Sequence, residues 1–487
     1  MKEEIRDTIM PTVDENLSYI KEELFKDASD MVFREFYIAS WKAVLIYIDG
    51  MADKILLDDY VMETLIFKGN LMSDVNEIKD RLLTVSDMKE MKKLSEGIDA
   101  VLSGETMLLI DGLDGVYIIA TRLWPVRGVS EPSGETVIRG GRDGFTETMR
   151  FNTALVRRRI RDTRLKIKPK SLGARSKTDV AILYIDDIVN EDALDKLMSR
   201  IEDIKIDAIL DSGYVEQLIE DNQWSPFPQI QSTERPDVVA AALYEGRIAV
   251  LVDNSPFAII VPAVMPNLFQ SPDDYYQKWI NASWMRLIRL VAIIGSLILP
   301  ALYVAVTSFH TAIIPTKLAY SIAASREGVP FPAFVETLIM ELSMAFLIEA
   351  VIRLPKAIGS TIGIVGGLII GQAAVSAGIV SPIMIIIISI TSISNFIIGN
   401  YELSSAFRLA RFMLIIFSAV IGLYGIMLGL ILLLIHLVRL KSFGIPYLSP
   451  IISPDIHDFK DLFIRIPLRN MKKRPEYMKT KDKIRQK

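Results

Sequence analysis

Residues 357–401 contain no Asp, Glu, Lys or Arg, and this stretch constrains the fold more than any other part of the chain. A single helix over its whole length would span about 67 Å at a rise of 1.5 Å per residue. The hydrocarbon core of a bilayer is only about 30 Å thick. The sequence therefore predicts two membrane crossings, with the chain folding back at residues 378–382.

Glycine recurs at every fourth position in the first half of this stretch, at Gly359, Gly363, Gly367 and Gly371. On a helix these residues form a ridge that lets membrane helices pack closely. The opposite side carries a stripe of mixed polarity, namely Thr361, Val365, Leu368, Gln372 and Ser376. If identical subunits pack through the ridge, the stripe lines a pore in which Val365 and Leu368 gate by dewetting. In the alternative, the helix belongs to an ordinary bundle and Gln372 bonds to a neighbour.

Three further segments are apolar enough to enter a membrane, residues 290–309, 334–352 and 412–438. The second carries Glu336, Glu341 and Glu349, and charged side chains inside a membrane rarely face lipid. Glu341 and Glu349 fall about 80° apart on a helix, so one side of the helix is expected to hold both. If both chain ends are cytoplasmic, the number of crossings is even, and 334–352 is predicted to be re-entrant or in-plane.

Two features of the sequence predict that both ends of the chain are cytoplasmic. The N-terminus has no apolar run typical of a cleavable signal peptide. The predicted tail, residues 439–487, is basic, with 11 Lys or Arg against 3 acidic residues over 460–487. Positive residues are retained on the cytoplasmic side of a membrane. The sequence therefore predicts a multi-pass membrane protein whose large N-terminal region is cytoplasmic.

Residues that carry catalysis are scarce. The 487 residues include no cysteine and three histidines, which excludes disulfides and thiolate metal sites and disfavours a histidine zinc site. The chain has no Walker loop, no dinucleotide-binding glycine fingerprint and no protease or esterase motif. We expect neither an enzyme nor a bound cofactor or metal, and no nucleic-acid partner.

A pattern recurs in the polar N-terminal region. Residues 45–49 resemble residues 182–186, and in both halves a glycine, Gly104 or Gly246, precedes an apolar strand that ends in Asp. We interpret this as two related subdomains in which helices cover a small sheet. Two unrelated sheets whose strands end alike remain the alternative.

The predicted fold is therefore an α/β N-terminal region followed by an α-helical polytopic membrane domain. The segments in order are a helical stretch at 1–40, subdomains at 41–122 and 165–265 joined by a Gly/Arg-rich linker and helix at 123–164, an interfacial connector at 266–286, the transmembrane domain at 287–438 and the tail at 439–487.

The linker at 123–164 ends in a dense cluster of basic residues. Its helix is predicted from about Gly144 to Arg161, with Asp143 as the cap. The basic cluster fits either anionic lipid heads or an acidic partner. It fits equally a helix end in solvent, where bases are favourable by themselves. Residues 138–144 form either an anion-binding loop or a simple turn.

The same linker carries a distinctive set of residues, namely Glu131, Pro132, Arg139, Gly140, Arg142, Gly144, Phe145, Asn152, Arg157, Arg158 and Arg159. Further motifs follow in order, at Glu234, Arg235, Pro236 and Asp237, then at residues 328–332, 371–374, 394–396 and 442–447. Together these motifs resemble the signature of the GerA family, the A subunits of spore nutrient germinant receptors. The resemblance covers about residues 35–455. Gly141 departs from it, because proline or alanine is expected there.

The resemblance implies a subunit in the inner membrane of the bacterial spore with a cytoplasmic N-terminal domain. It implies a complex with a transporter-like B subunit, which binds the nutrient, and a lipoprotein C subunit. It also implies that A subunits assemble, as pentamers, into a nutrient-gated cation channel whose opening starts germination. Two alternatives stay open, a membrane scaffold without its own conductance and a secondary transporter. No clear inverted repeat supports the latter.

Overall fold

The computed structural model describes residues 5–71, 74–83, 85–123, 131–132, 134–452 and 456–486, apart from the side chains of residues 80, 356, 357, 360–362, 364, 365, 368, 456 and 457. The described chain divides into two compact units. We call them the sheet unit, residues 1–221, 230–262 and 468–487, and the helical unit, residues 222–229 and 263–467.

The sheet unit contains two five-stranded antiparallel sheets. The strands of the first are β1 (Met31–Ile38), β2 (Trp41–Ile48), β3 (Met88–Met91), β4 (Thr106–Ile110) and β5 (Val116–Ile119), in the order β1-β2-β4-β5-β3. The strands of the second are β6 (Leu165–Leu172), β7 (Thr178–Ile185), β8 (Gln231–Thr233), β9 (Ile248–Val252) and β10 (Ala258–Val261), in the order β6-β7-β9-β10-β8. The strand order is therefore the same in both.

The equivalence of the two sheets extends to the turns that lead into their central strands. Gly104 precedes β4 and Gly246 precedes β9, and both have positive φ, of 96° and 84°. Only glycine adopts this conformation without steric cost. The sequence pattern that predicted two related subdomains thus corresponds to repeated topology, with glycines at matching places.

Helical segments cover the sheets because the apolar residues of the strands alternate between two faces. Val44 and Ile46 of β2 pack with Ile98 of the helix at Leu94–Leu102, whereas Leu45 packs on the opposite face with Val61. The helical segments of this unit are Val13–Ser18, Tyr19–Leu24, Lys54–Leu56, Leu57–Met62, Glu63–Lys68, Gly69–Leu71, Val75–Glu77, Ile78–Leu82, Leu94–Leu102, Met149–Arg157, Glu191–Asp203, Ser212–Ile219, Pro236–Tyr244, Leu468–Asn470 and Glu476–Met478.

Two helix predictions in this unit are wrong. The stretch predicted as helical at 1–40 is helical only to Leu24, and Met31–Ile38 is a strand that pairs with Trp41–Ile48. A two-residue turn in which Ala39 takes a positive φ of 51° joins these strands. Helical spacing alone missed this strand, because Met31 and Phe36 are buried in a sheet that forms only when the strand pairs with Trp41–Ile48.

The predicted helix at 144–161 is shorter, Met149–Arg157. Asp143 does not cap it, because both Asp143 carboxylate oxygens accept hydrogen bonds from Arg159 Nη2, at 2.7 and 2.6 Å. Residues 138–144 therefore do not open a helix, and a helix N-terminus cannot supply the predicted anion-binding loop.

The helical unit is built from helices joined by short turns. They are Met265–Phe269, Asp273–Tyr276, Trp279–Ser308, Thr311–Ile313, Thr316–Arg326, Ala333–Arg353, Lys356–Ser376, Pro382–Ile397, Tyr401–Ile421, Leu423–Arg439 and Ile456–Asp461, and a short pairing joins Lys441–Ser442 to Ile445–Pro446. Among the described residues, Trp279–Ser308 and Tyr401–Ile421 are long and apolar enough to cross a membrane, with mean hydropathies of 2.3 and 1.6. Pro382–Ile397 and Leu423–Arg439 are shorter apolar helices.

The charge-free stretch folds back where predicted. One helix ends at Ser376 and the next begins at Pro382, with Gly378 at a φ of 64°. The single crossing predicted at 412–438 is wrong, because Gly422, at a φ of 62°, separates Tyr401–Ile421 from Leu423–Arg439. A glycine at positive φ ends a helix even within an unbroken apolar run.

The basic tail is packed rather than free in solvent. Its last part, residues 468–487, belongs to the sheet unit. Arg474 is buried, and its Nε donates to the carbonyl oxygen of Tyr244 at 2.7 Å. Lys481 pairs with Glu191 at 2.7 Å, and the amide of Asn190 donates to the carbonyl oxygen of Met478 at 2.7 Å. Much of the positive charge that suggested a tail is thus matched within the unit.

Candidate functional site

The glycine ridge of the helix Lys356–Ser376, which we call the glycine-rich helix, packs inside its own chain. A methyl group on Gly359 would lie 3.0 Å from the carbonyl oxygen of Val351, and one on Gly363 would lie 3.5 Å from the Val351 side chain. For Gly367 the nearest atom belongs to Leu347, at 3.8 Å, and for Gly371 to Ile385, at 3.7 Å. The ridge therefore packs against the helices that precede and follow the glycine-rich helix in sequence.

The opposite stripe is described in part. The side chains of Gln372 and Ser376 are exposed. The side chains of Thr361, Val365 and Leu368 lie outside the described residues. The described part of the helix thus has a packed glycine side and an exposed side that carries an amide and a hydroxyl.

The three glutamates of the helix Ala333–Arg353, which we call the glutamate helix, have different environments. Glu336 and Glu341 are buried, whereas Glu349 is exposed and its carboxylate accepts from Arg353 Nε at 2.7 Å. The prediction that one side of the helix holds both Glu341 and Glu349 stays a prediction, but the two residues differ in burial. The reason is position along the axis, since the buried residues of this helix all lie in its first half.

Glu341 forms a buried ion pair with Arg411 of the helix Tyr401–Ile421. Its Oε2 lies 3.0 Å from Nη2 of Arg411, and the side chains are 4% and 2% exposed. Arg411 Nη1 also donates to the Ser296 carbonyl oxygen at 3.0 Å and to Asn395 Oδ1 at 3.2 Å. One guanidinium thus links four helices through their polar groups.

Glu336 holds the turn at which the charge-free stretch folds back. Its Oε1 accepts hydrogen bonds from the backbone nitrogen and the hydroxyl of Ser381, each at 2.5 Å. Its Oε2 lies 3.6 Å from Nε of Arg326. The Ser381 hydroxyl is also 3.4 Å from the hydroxyl of Tyr303. A fully buried carboxylate therefore fixes the start of the helix Pro382–Ile397 to the glutamate helix.

These buried charges are incompletely satisfied. Among the described residues, Oε1 of Glu341, Nε of Arg411 and Oε2 of Glu336 have no hydrogen-bond partner. A buried polar atom without a partner costs about 1–3 kcal/mol. No group of three or more metal-ligating side chains occurs in the part of the chain that the structure describes. The arrangement thus suits electrostatic coupling between helices better than metal binding.

The linker residues singled out in the sequence fasten the linker to the second sheet. Arg235 is buried, pairs with Asp237 at 2.8 Å, and donates to the carbonyl oxygens of Glu135, at 3.2 Å, and Gly141, at 2.9 Å. Phe145 is buried and its nitrogen donates to the Glu234 carbonyl oxygen at 2.8 Å. Pro236, at the start of the helix Pro236–Tyr244, and Pro132 are also buried.

The neighbouring carboxyl of Glu135 has a raised pKa. Burial, the largest effect, raises the pKa of Glu135 to about 7, against a hydrogen bond from Thr233 that lowers it. The Thr233 hydroxyl donates to Glu135 Oε2 at 2.5 Å. The carboxylates of Glu234 and Asp237 raise the pKa further.

Most residues of the predicted basic cluster pair with carboxylates of the same chain. Arg157 is fully buried and its Nε and Nη2 donate to the two carboxylate oxygens of Asp30, at 2.8 and 2.9 Å. Its Nη1 and Nη2 also donate to the carbonyl oxygens of Asp162 and Leu165, both at 3.1 Å. Asn152 holds the loop that precedes the helix, because its side-chain amide donates to the Thr146 carbonyl oxygen at 2.6 Å.

The other residues of that set lie at the surface or in a turn. Arg139, Gly140 and Arg158 are exposed, Gly144 is buried, and Arg142 lies 3.9 Å from Glu131. Sequence reasoning missed the partners Asp30, Arg411, Ser381 and Arg326, which come from distant segments. An arginine within an apolar stretch, as at Arg411, was the available signal, because such a charge requires a counter-charge.

Comparisons with known proteins identify a family over nearly the whole chain. The family model described as Bacillus/Clostridium GerA spore germination protein matches residues 18–477. Spore germination protein GerLA of Bacillus cereus is 43% identical over 472 residues, 96% of each chain. Spore germination protein KA of Bacillus subtilis is 40% identical over 98% of this chain and 89% of its own.

Two further proteins are also similar to this chain. The uncharacterized membrane protein YfkQ of Bacillus subtilis is 42% identical over 96% of this chain and 91% of its own. The crystal structure of the N-terminal domain of the A subunit of the Bacillus megaterium spore germinant receptor GerK3 is 34% identical, covering 54% of this chain and 99% of its own, with a TM-score of 0.40. The motifs, the extent of the family match and these identities together show that the chain belongs to the GerA family of spore germination proteins.

Proposed function

We propose that this chain is the A subunit of a nutrient germinant receptor in the inner membrane of the spore. Its chain ends lie in the cytoplasm, and it works with a transporter-like B subunit, which binds the nutrient, and a lipoprotein C subunit. Copies of the chain assemble, as a pentamer, into a cation channel that opens when the nutrient binds. Family membership supports the role in germination, and the helical unit supports the channel.

The single observation that carries the channel is the orientation of the glycine-rich helix. Its ridge meets Leu347 and Ile385 of the same chain, so its opposite side faces away from those neighbours. That side exposes Gln372 and Ser376 among apolar residues. An exposed amide and hydroxyl in lipid are unfavourable, whereas they are favourable along a water path shared by several copies.

The buried ion pairs give the channel a means of coupling. Glu336 ties the turn at Ser381, and Glu341 ties the helix that carries Arg411. Movement of the glutamate helix would therefore displace both the turn after the glycine-rich helix and the helix Tyr401–Ile421. A gate needs such an element with two arrangements whose equilibrium a ligand shifts.

Thiol accessibility tests the water path, and the absence of native cysteine makes single-cysteine variants clean. In the full chain reconstituted in liposomes, the Gln372→Cys and Ser376→Cys variants are expected to react with a membrane-impermeant thiol reagent. The Ile393→Cys variant is the matched control, because Ile393 is an exposed apolar residue of the next helix and is expected to face lipid. Equal protection at all three positions would remove this helix as the pore.

Ion flux distinguishes a channel from a scaffold. Liposomes that contain the full chain are expected to release cations, and Gln372→Leu should slow the release by removing the exposed amide. Val365→Ala and Leu368→Ala should raise the leak if these residues gate by dewetting. A chain that assembles normally but gives no flux, alone or with its B and C partners, is the result expected of a scaffold.

A further inference from the structure

Trp224 is the most exposed large apolar side chain of the described residues, at 96% exposure. It lies on residues 222–229, which belong to the helical unit although the chain on either side belongs to the sheet unit. A single exposed apolar side chain is common on protein surfaces, so the surroundings of Trp224 decide whether it marks a binding surface.

The segment that carries Trp224 is held firmly. Phe227 is buried against Phe407, with ring centroids 5.6 Å apart at an interplanar angle of 81°. The hydroxyl of Ser225 is 2.9 Å from His436 Nε2. Gln229 closes the segment, since its side chain accepts from the nitrogen of Asn222 and donates to its carbonyl oxygen, both at 2.9 Å. The exposure of Trp224 is thus imposed by the fold.

The segment lies at the end of an apolar helix. His436 and Arg439 are in the last turn of Leu423–Arg439, and Arg439 and Lys441 are exposed. A fully exposed tryptophan therefore sits beside the point where an apolar helix gives way to basic residues.

A second apolar helix begins at the same end of the unit. A methyl group on Gly422, just before Leu423–Arg439, would lie 2.9 Å from the side chain of Phe309, just after Trp279–Ser308, so the start of the second helix lies towards the other end of the first. The carbonyl oxygen of Phe269 accepts from Arg289, in the first half of Trp279–Ser308, at 2.7 Å. Trp279 and Trp284, near the start of that helix, are exposed as well. Exposed tryptophans and bases thus gather at one end of the helical unit.

Tryptophan and basic residues at the end of apolar helices have a preferred surrounding. The indole ring is apolar with one N–H donor, so it is most stable at the level of lipid headgroups. Lysine and arginine beside it attract anionic headgroups. An acidic protein partner would match the bases, but it would not explain why the tryptophan lies level with the helix ends.

We propose that Trp224 inserts into the headgroup layer of the bilayer and that residues 222–229 are a membrane-surface anchor. The anchor goes beyond channel function. The chain enters the anchor from Asp221 and leaves it towards Ile230, and both of these residues belong to the sheet unit.

Fluorescence quenching by lipid tests the anchor in the full chain. Pro226 is exposed two residues from Trp224, so the Pro226→Cys variant can carry a small fluorophore while Trp224 stays in place. In vesicles of phosphatidylethanolamine and phosphatidylglycerol, a headgroup nitroxide lipid is expected to quench this label and shift its emission to the blue. Adding Trp224→Ala should abolish both effects, and Trp224→Tyr should retain them, because tyrosine also favours the interface.

Two labelled positions serve as references for depth. Tyr37 of β1 is exposed in the sheet unit, so a label on Tyr37→Cys should respond to an aqueous quencher only. Ile431 is exposed within the apolar helix Leu423–Arg439, so a label on Ile431→Cys should be quenched by a nitroxide on the acyl chain. If the Pro226→Cys label behaves like the Tyr37→Cys label in these vesicles, Trp224 is not a lipid anchor. Protection that appears only after a protein partner is added would likewise overturn the proposal and identify a protein interface.

Discussion

Both units bury arginines, and Arg157 of the sheet unit is satisfied to a different degree from Arg411 of the helical unit. In the sheet unit, Arg157 uses all three guanidinium nitrogens, on both carboxylate oxygens of Asp30 and on two carbonyl oxygens. In the helical unit, Arg411 binds Glu341, but its Nε and the Oε1 of Glu341 have no hydrogen-bond partner among the described residues.

The difference separates two uses of a buried charge. A fully hydrogen-bonded guanidinium has one favourable arrangement, so Arg157 joins β1 to β6 in a fixed geometry. An incompletely hydrogen-bonded pair raises the free energy of the resting arrangement. Another arrangement of the helices that supplies the missing hydrogen bonds would lower it. We therefore expect loss of the Arg157 pair to lower stability and loss of the Arg411 pair to alter gating.

The largest expected effect is at Arg157. Arg157→Met leaves Asp30 charged and buried without its partner, which should lower the free energy of unfolding by about 3–5 kcal/mol. Urea unfolding of the full chain in detergent, followed by protease digestion of the sheet unit, measures this loss. Arg150→Met is the matched control on the same helix, since Arg150 is exposed and pairs with Asp49 at 3.0 Å. Arg150→Met should lower the free energy of unfolding by only about 0–1 kcal/mol. Equal losses for the two variants would show that the buried Arg157 pair contributes no more to stability than an exposed pair.

The second largest loss of stability is expected from steric crowding between two helices of the helical unit. A methyl group on Gly425 would overlap the carbonyl oxygen of Phe417 in the preceding helix. Gly425→Ala should therefore cost about 1–3 kcal/mol by forcing the two helices apart. Thermal unfolding in detergent would show it as a lower Tm. Gly295→Ala is the control, because nothing lies within 4 Å of the added atom. A lower Tm for both variants would mean that loss of glycine itself, and not crowding, is responsible.

A smaller effect is expected from pH in the sheet unit. Folding raises the pKa of Glu135 from 4.5 to about 7, so the folded state binds its proton more tightly than the unfolded state does. The stabilisation is complete below pH 4.5 and is lost as the pH rises through about 7. Glu135→Gln, which cannot titrate, should flatten the decline in Tm over that range. An unchanged slope would show that other groups cause it.

The smallest expected change in stability is the sharpest test of the comparison. Replacing both Glu341 and Arg411 by Met removes a buried pair without leaving a lone charge, and such swaps are often neutral or stabilising. The double variant should unfold near the wild-type temperature, yet release of ions from spores in response to nutrient should be altered. A change of Asp30 to Leu and Arg157 to Met is the matched control, because each double variant removes an arginine that donates to two further oxygens. Any change in Tm should therefore be similar in the two double variants, whereas only the first should alter the nutrient response. Normal nutrient response in the first double variant would exclude a gating role for the pair.

Part of the candidate site followed from the sequence. The spacing of Gly359, Gly363, Gly367 and Gly371 indicated a ridge, and Glu336 and Glu341 stood out as charges in an apolar segment. The sequence did not indicate that the ridge would be occupied by Leu347 and Ile385 of the same chain. The sequence also did not distinguish the buried Glu341 from the exposed Glu349. The angle of a residue around a helix does not show which part of the helix length is buried.

The amino-acid order by itself determined the local features of this protein, namely apolar strands that end in Asp, glycines at positive φ before β4 and β9, the fold-back at 378–382 and family membership. The structural features among these depend on the steric and solvation preferences of neighbouring residues, which are the same in any tertiary fold. Only the tertiary structure decided the pairing of Arg157 with Asp30 and of Arg411 with Glu341, the strand at Met31–Ile38 and the exposure of Trp224. The physical reason is that burial and charge neutralisation depend on residues distant in sequence, which meet only when the chain has folded.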